Sequence, residues 1–333
     1  MKQKIVFLRP GKLGDLIVAT PFFSQLKKIF PKVHISVVCS PYNKVVIKHN
    51  PFVDEIKVVN FHSLFAVLGL IRWIKKQQFD WVIDLIPGVS RTSTIINRMV
   101  RSKKTRIAGM HKAHTGKFFD ITTENHGLHI IDRNKLLIES VMQCKFTESI
   151  SAEIHVLPEH RHAAKHILAG IEKNKIVIGI NCSAGELERQ WDRGNYHRLL
   201  ELLHEKYKNI HTVLFSVNEQ QKWAVDFSHE FKNTTALPAV DLFTVVAVMQ
   251  QLSMFFSPDT SLIHIASGNG YPVVGLYCTD GENLVRWRAY ADLTKELIAC
   301  KTNSVNEISP EAAFSAIEEM MSIIQKKSAG ISD

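Results

Sequence analysis

Short runs rich in β-branched residues alternate along this chain with longer amphipathic stretches. Ile5–Leu8 is followed by Phe22–Phe30, Ile35–Cys39 by Val45–His49, Glu55–Val59 by Leu64–Lys76, and Trp81–Leu85 by Thr92–Arg101. That alternation predicts parallel strands joined by crossover helices. It loses regularity from about Lys103 to Asn134, where Gly109, His111, His114 and Gly116 stand among basic residues, and this stretch is expected to be a functional loop region of the first domain. A helix near Asp132–Met142 closes the first half, and Pro158 lies near the hinge. The same rhythm then restarts: Lys175–Asn181, Asn195–Lys206, His211–Phe215, Glu219–Phe231, Thr235–Leu237 and Leu242–Gln250. Two apolar runs, Met254–Phe256 and Val273–Tyr277, flank a short helix expected to start near Leu262. Ser309 and Pro310 open a last helix running to about Lys326, as a cap and a proline at the first helical position should. The tail, 328–333, is expected to be disordered.

Two similar strand-first halves imply an α/β fold of two Rossmann-like, doubly wound domains, 1–157 and 158–327, with a cleft between their strand ends. A length of 333 residues suits two domains, and 45% hydrophobic with 22% charged residues is globular composition. No run approaches the ~18 apolar residues of a membrane span. The start, MKQKIVFLRPG, reads as a first strand rather than a secretory signal. Five scattered cysteines without CxxC pairs argue against zinc and fit a reducing cytoplasm. The net charge of +9 favours anionic partners: a sugar nucleotide, a phosphorylated glycolipid, an acidic membrane surface or nucleic acid. The absence of a zinc finger, RNP motif or basic-region helix argues against nucleic acid.

Candidate chemistry gathers where strands give way to helices. In MFFSPDTSLIHIASGNGYPVVGLY, Asp259 or Thr260 can cap a helix whose positive end suits a phosphate, with Ser261 beside it and His264 one turn in. Ordinary capping explains the same residue types. After the first strand, RPGKLGDLIVATP puts Gly11, Gly14 and Asp15 in a tight strand-to-helix turn that is neither GxGxxG nor a Walker loop. Asp15 reads equally as a general base or as a cap.

Taken together, the motifs resemble glycosyltransferase family nine, the lipopolysaccharide heptosyltransferases. RPGKLGDLIVATPFFSQLKKIFP is similar to the family's "RPSSLGDVVHALPALRALRRAFP" without a gap, and IDLIPGVSRTS to "IDLQGNLRS". CSAGELERQWDRGNYHRLLELL resembles "HPGASRPEKRWPLERFAEL", SPDTSLIHIASGNGYPVVGLYC resembles "GPDTGLMHLAAALGKPVVALFG", and TDGENLVRW follows as the family's "PTDPRRW" does. The chain departs from the pattern at Ser257, Ser261 and Cys278, where the family has glycine, and at Lys12, where it has serine.

The resemblance implies a GT-B architecture and an inverting transfer of heptose from ADP-heptose to the lipopolysaccharide inner core, an acceptor of the lipid A-Kdo type. Asp15 inherits the role of general base. Ser183, Gly185, Arg189, Glu219, Asp259, Thr260, Ser261 and His264 would bind the donor: Arg189 its diphosphate in place of the family's lysine, Glu219 its ribose. Lys12 and Arg91, with Arg9, Lys112 and Lys117 as weaker candidates, would meet acceptor phosphates; each reads equally as a surface cation. Trp191 and Tyr196 read as packing residues. No acidic DxD pair stands in a loop, so no metal or other cofactor is expected. The protein would be cytoplasmic and in peripheral contact with the inner membrane. Two other readings stay open: a sugar-nucleotide epimerase of the same architecture, and a catalytically silent sugar-nucleotide binding protein.

Overall fold

The computed structural model describes residues 3–88, 90–110, 118–123, 127–278 and 281–328. The chain divides into two compact units, Met1–His155 and Val156–Asp333, where the sequence suggests a boundary two residues later. His111, Lys112, His114, Gly116, Lys117, Thr279, Asp280 and the tail beyond Ser328 lie outside the described residues.

The first unit runs β1 (Lys4–Leu8), α1 (Leu13–Ile17), α2 (Pro21–Ile29), β2 (His34–Cys39), a 3-10 turn (Lys44–Ile47), β3 (Glu55–Val58), α3 (Leu64–Gln77), β4 (Trp81–Asp84), α4 (Arg91–Val100), β5 (Arg106–Met110), β6 (Ile121–Thr123) and α5 (Ile130–Met142). Its sheet has the order β3-β2-β1-β4-β5-β6 and every pairing is parallel, with Val6 opposite Ser36 on one side and Val82 on the other. Side chains alternate across the strands, so both faces of β1 are buried. Val6 and Leu8 pack with Val67, Leu70, Ile71 and Ile74 of α3 and Ile96 and Val100 of α4. Phe7, on the opposite face, meets Phe23 of α2 at 5.3 Å between ring centroids.

The expected loop region from Lys103 to Asn134 is a correction. It holds β5, β6 and the first turns of α5. The strand β5 is disguised because its apolar run, RIAGM, contains Gly109, and a Cβ there would lie 2.3 Å from the Phe119 ring. Packing against Phe119 therefore takes the place of a larger strand residue.

The second unit runs α6 (Pro158–Ile167), β7 (Ile176–Asn181), a 3-10 turn (Leu187–Arg189), α7 (Arg193–Lys206), β8 (Ile210–Phe215), α8 (Gln220–Glu230), β9 (Thr234–Ala236), α9 (Leu242–Met249), β10 (Met254–Pro258), α10 (Ser261–Ser267), β11 (Val273–Tyr277), α11 (Gly281–Trp287), β12 (Thr294–Ile298), a 3-10 turn (Val305–Glu307) and α12 (Pro310–Ser328). Pro158 is the first residue of α6, α11 forms within the TDGENLVRW motif, and β12 extends the fold beyond it. The order β12-β11-β10-β7-β8-β9 is again wholly parallel. Ile178, Ile180, Met254 and Phe256 face Tyr196, Leu200 and Leu203 of α7 and Ile317 of α12. Trp191 and Tyr196 are packing residues: both are fully buried, edge to face at 5.0 Å.

After β12 the chain is fastened by one carboxylate. Glu307 accepts the backbone N–H groups of Cys300 (3.0 Å), Lys301 (2.9 Å) and Thr302 (2.6 Å). These bonds, that from Thr302 foremost, hold its carboxyl down to about 2 against an ordinary 4.5. A folded-state value below the unfolded one means stability that is complete above pH 4.5 and lost as pH falls toward 2. Glu307→Gln is therefore expected to flatten that part of the acid dependence of the thermal midpoint. Melting curves on either side of pH 4.5 check it.

Candidate functional site

In each sheet the chain winds outward in one direction from its first strand and then returns to wind in the other. The reversal falls between β1 and β4 in the first unit and between β7 and β10 in the second. Loops leaving the carboxyl ends of those strand pairs diverge, and the crevice between them is where open α/β sheets bind ligands.

In the first unit, Arg9 follows β1 and is only 2% exposed. Its Nε donates to the Asp15 carbonyl at 2.7 Å and its guanidinium to Asp15 Oδ1 at 2.9 Å. The other carboxylate oxygen accepts the Lys12 backbone N–H at 2.8 Å, so Asp15 caps the helix α1 that carries it. Its side chain remains 23% exposed. The Asn43 side-chain amide fastens the loop from below, donating to Arg9 O at 3.0 Å. Burial lowers the Arg9 pKa, opposed by the charges of Asp15 and Asp84. Arg9 is thus committed to Asp15 and enclosed, where the resemblance expects it to meet an acceptor phosphate. Lys12 and Arg91 are exposed, Arg91 on the first turn of α4.

Asp84, at the end of β4, goes unremarked in the motif IDLIPG. It is fully buried, and its carboxylate accepts from the Ser93 hydroxyl, from the Asn97 amide at 2.8 Å and from the Ile86 N–H at 3.0 Å. A carboxylate ending an apolar strand, with Ser and Asn four apart on the next helix, is the signal that could have found it.

In the second unit, Arg189 leaves the 3-10 turn and pairs with Asp259, at the end of β10, at 3.1 Å; Glu186 flanks it at 3.3 Å. A cavity of about 480 Å³ opens over this pair, lined also by Glu188, Tyr277, Cys278, Asn283, Leu284 and Asn303. Beside it runs a hydrogen-bond chain centred on Asn181, another residue that pattern alone does not single out. Its amide donates to Ser257 Oγ at 3.0 Å and Thr260 Oγ1 at 3.1 Å, while its side-chain oxygen accepts the Ser183 N–H at 3.2 Å. Ser183 Oγ in turn accepts the Val217 N–H at 2.9 Å. Thr260 occupies the N-cap position of α10 without a side-chain capping bond, because its hydroxyl serves Asn181.

The glycine departure at Ser257 has a structural account. The residue is fully buried, and its hydroxyl both receives Asn181 and donates to Pro258 O at 2.7 Å. Cys278 donates to Glu188 O at 3.3 Å, across the cavity floor. Ser261 opens α10, half-buried. His264 is 5% exposed against Trp287, with centroids 5.9 Å apart, and is not among the described lining residues. Gly185 sits in open space, and Glu219 is exposed at the N-cap of α8, two residues beyond the Val217–Ser183 bond. The structure therefore brings Arg189, Asp259, Thr260 and Ser183 together at one switch point, with Glu219 and Gly185 on its rim loops and His264 behind it.

Two doubly wound α/β units, each with an arginine–aspartate pair at its switch point, fit the GT-B architecture, and the family comparison supplies the class, a glycosyltransferase. The profile of "Glycosyltransferase family 9 (heptosyltransferase)" matches residues 67–315, and the chain belongs to that family. The matched span takes in the second-unit residues and Arg91 and begins beyond Arg9, Lys12 and Asp15. Lipopolysaccharide heptosyltransferase 3 of Escherichia coli K12 is 22% identical over 84% of this chain and 83% of its own. A glycosyltransferase family 9 structure from Veillonella parvula aligns with a TM-score of 0.81 at 20% identity, covering 97% and 98% of the two chains. The E. coli heptosyltransferase WaaC with ADP-2-deoxy-2-fluoro heptose gives 0.75 at 15%, over 95% and 99%. A UDP-GlcNAc 2-epimerase from Neisseria meningitidis is looser, 0.58 at 12% over 97% and 93%. The solved structures bear on the fold alone.

Gly11 is what lets Asp15 take its place. Its φ is +131°, and a Cβ there would stand 2.2 Å from Asp15 Oδ2. Gly11→Ala is expected to cost about 1–3 kcal/mol of stability through backbone strain and displacement of that carboxylate. A urea unfolding series, read at its midpoint, tests this.

Proposed function

We propose that this chain is an inverting transferase that moves heptose from ADP-heptose to the inner core of lipopolysaccharide, on an acceptor of the lipid A-Kdo type. The observation that carries the reading is the Asp15 carboxylate: fixed by Arg9 and the Lys12 N–H, still partly open to solvent, and set at a switch point of a family 9 glycosyltransferase. An acceptor hydroxyl is a poor nucleophile until its proton is taken at the transition state. Asp15 receives that proton as the hydroxyl oxygen bonds to the anomeric carbon, the bond from that carbon to the diphosphate breaks with its electron pair, and ADP leaves. One displacement inverts the configuration. Each Asp15 oxygen has a second lone pair beyond the bond that orients it.

On the donor side, Arg189 supplies positive charge toward the leaving diphosphate, and Asp259 both aims it and accepts from sugar hydroxyls. Ser183, Gly185, Thr260 and Ser261 add hydroxyl and backbone donors, Glu219 takes the ribose, and His264 backs the loop. Lys12 and Arg91 are the cations that meet acceptor phosphate. The reaction is proposed to need neither metal nor cofactor, with arginine and backbone dipoles doing the neutralising. The enzyme would act at the cytoplasmic face of the inner membrane. The donor analogue in the WaaC structure, ADP-2-deoxy-2-fluoro heptose, supports ADP-heptose as the substrate.

The test uses ADP-heptose and heptose-deficient lipopolysaccharide. Transfer is expected in the presence of EDTA, and Asp15→Asn is expected to lower kcat by about 10²-fold or more while ADP affinity stays within about twofold. Arg189→Ala is expected instead to weaken ADP binding. Nucleotide binding without turnover on any donor defeats the reading in favour of a silent binding protein.

A further inference from the structure

We propose that the outward face of α3 and α4 is a docking surface for an anionic lipid bilayer. An amphipathic helix on a sheet normally shows polar residues to water. Here α3 buries Val67, Leu70, Ile71 and Ile74 and yet also exposes Leu64 at 70%, Phe65 at 86% and Leu68 at 41%. On α4, which packs beside it over the same core, Ile95 and Met99 are exposed at 53% and 43%. This apolar surface belongs to neither sheet nor site.

Its surroundings carry one sign of charge. Residues 56–79 and 85–110, which contain both helices, hold ten lysines and arginines and no aspartate or glutamate. Arg72, Lys75 and Lys76 continue the exposed stripe of α3 beyond Leu68, and Arg98 lies next to Met99 on α4. Arg101 is neutralised by Asp120, Arg106 lies over the Trp81 ring and Arg98 over the Phe118 ring; among the described residues Arg72, Lys75 and Lys76 of α3 are in no ion pair, and neither helix contains an acid to offer one.

Charge complementarity decides the occupant. A second copy of this face would set the cations of α3 and α4, Arg72, Lys75, Lys76, Arg91 and Arg98, against the same five. Nucleic acid answers the cations but not the exposed Leu64, Phe65 and Leu68. A bilayer with anionic headgroups answers both, taking apolar side chains into the acyl boundary and cations at the phosphates. Geometry adds a use for it: in a parallel sheet, crossover helices run against the strands, so the first turns of α3 and α4 lie at the carboxyl ends of the strands. Leu64 and Phe65 are thus at the same end of the unit as Asp15. That a lipid-anchored acceptor is delivered there rests on the proposed function; the docking surface itself does not.

Co-sedimentation with vesicles of phosphatidylethanolamine and phosphatidylglycerol, against phosphatidylcholine alone, tests the proposal with the full chain. Binding to the anionic vesicles is expected, weakening as salt rises. The triple variants Leu64→Ser/Phe65→Ser/Leu68→Ser and Arg72→Glu/Lys75→Glu/Lys76→Glu should each reduce it by about fivefold or more. Both should keep the wild-type melting curve and the wild-type rate on a deacylated, water-soluble acceptor. In an otherwise intact chain, Phe65→Trp should show a blue shift on adding the same vesicles. A wild-type chain that stays in the supernatant overturns the proposal. So does an apolar variant that binds vesicles as well as wild type, or one whose sole effect is to dissociate a dimer. Vesicle binding with this pattern but no heptosyl transfer on any acceptor would sink the functional reading and leave the surface standing.

Discussion

A parallel sheet that reverses its direction of winding must leave two adjacent strands whose following loops part company. In this chain that constraint falls on β1 and β4 in one unit and on β7 and β10 in the other. The divergence leaves backbone and side chains at the strand ends with no neighbouring loop to pack against, so any group placed there faces a crevice. Charged residues can be kept at such a position if something holds them. Each unit solves that with an arginine and an aspartate.

The two pairs are built differently, and the difference follows from burial. Arg9 is almost wholly enclosed and is satisfied by Asp15 and by the charge of Asp84, so the pair is a fixed part of the loop, with the carboxylate as its exposed end. Arg189 is 27% exposed and divided between Asp259 and Glu186, over an open cavity. Enclosed ion pairs are costly to break because the remaining charge is stranded, whereas partly solvated pairs exchange partners at little cost. A rigid carboxylate suits a group that must be aimed at one proton. An arginine that can trade carboxylate for phosphate suits the binding and release of a diphosphate.

How far such features can be read from sequence depends on whether their cause is local. Most strands of both sheets and most helices were legible because apolar periodicity is set residue by residue, and the motifs marked where the strand ends carry polar groups. Gly109 hid β5 because its reason is Phe119, ten residues further on. Asp84 and Asn181 were hidden for a related reason: each ends an apolar strand and does its work through partners from another element, Ser93 and Asn97 for one, Ser257 and Thr260 for the other. Arg9 looked like a surface cation because sequence records charge but not enclosure. Ser257 stood only as a departure from the family's glycine until Asn181 appeared opposite it.

The net charge of +9 takes on a different meaning once its location is known. Spread evenly, it would describe only a general preference for anions. Instead, the helices on one face of the first sheet carry cations with no carboxylate among them, while the cavity of the second unit sets Glu186, Glu188 and Asp259 against the single guanidinium of Arg189. On the proposed reading a diphosphate draws Arg189 from its carboxylates, and Asp259 gains room for hydrogen-bond donors from the ligand. Sugar hydroxyls are such donors. On that reading, diphosphate and sugar are thus bound by one exchange of partners at Arg189 and Asp259.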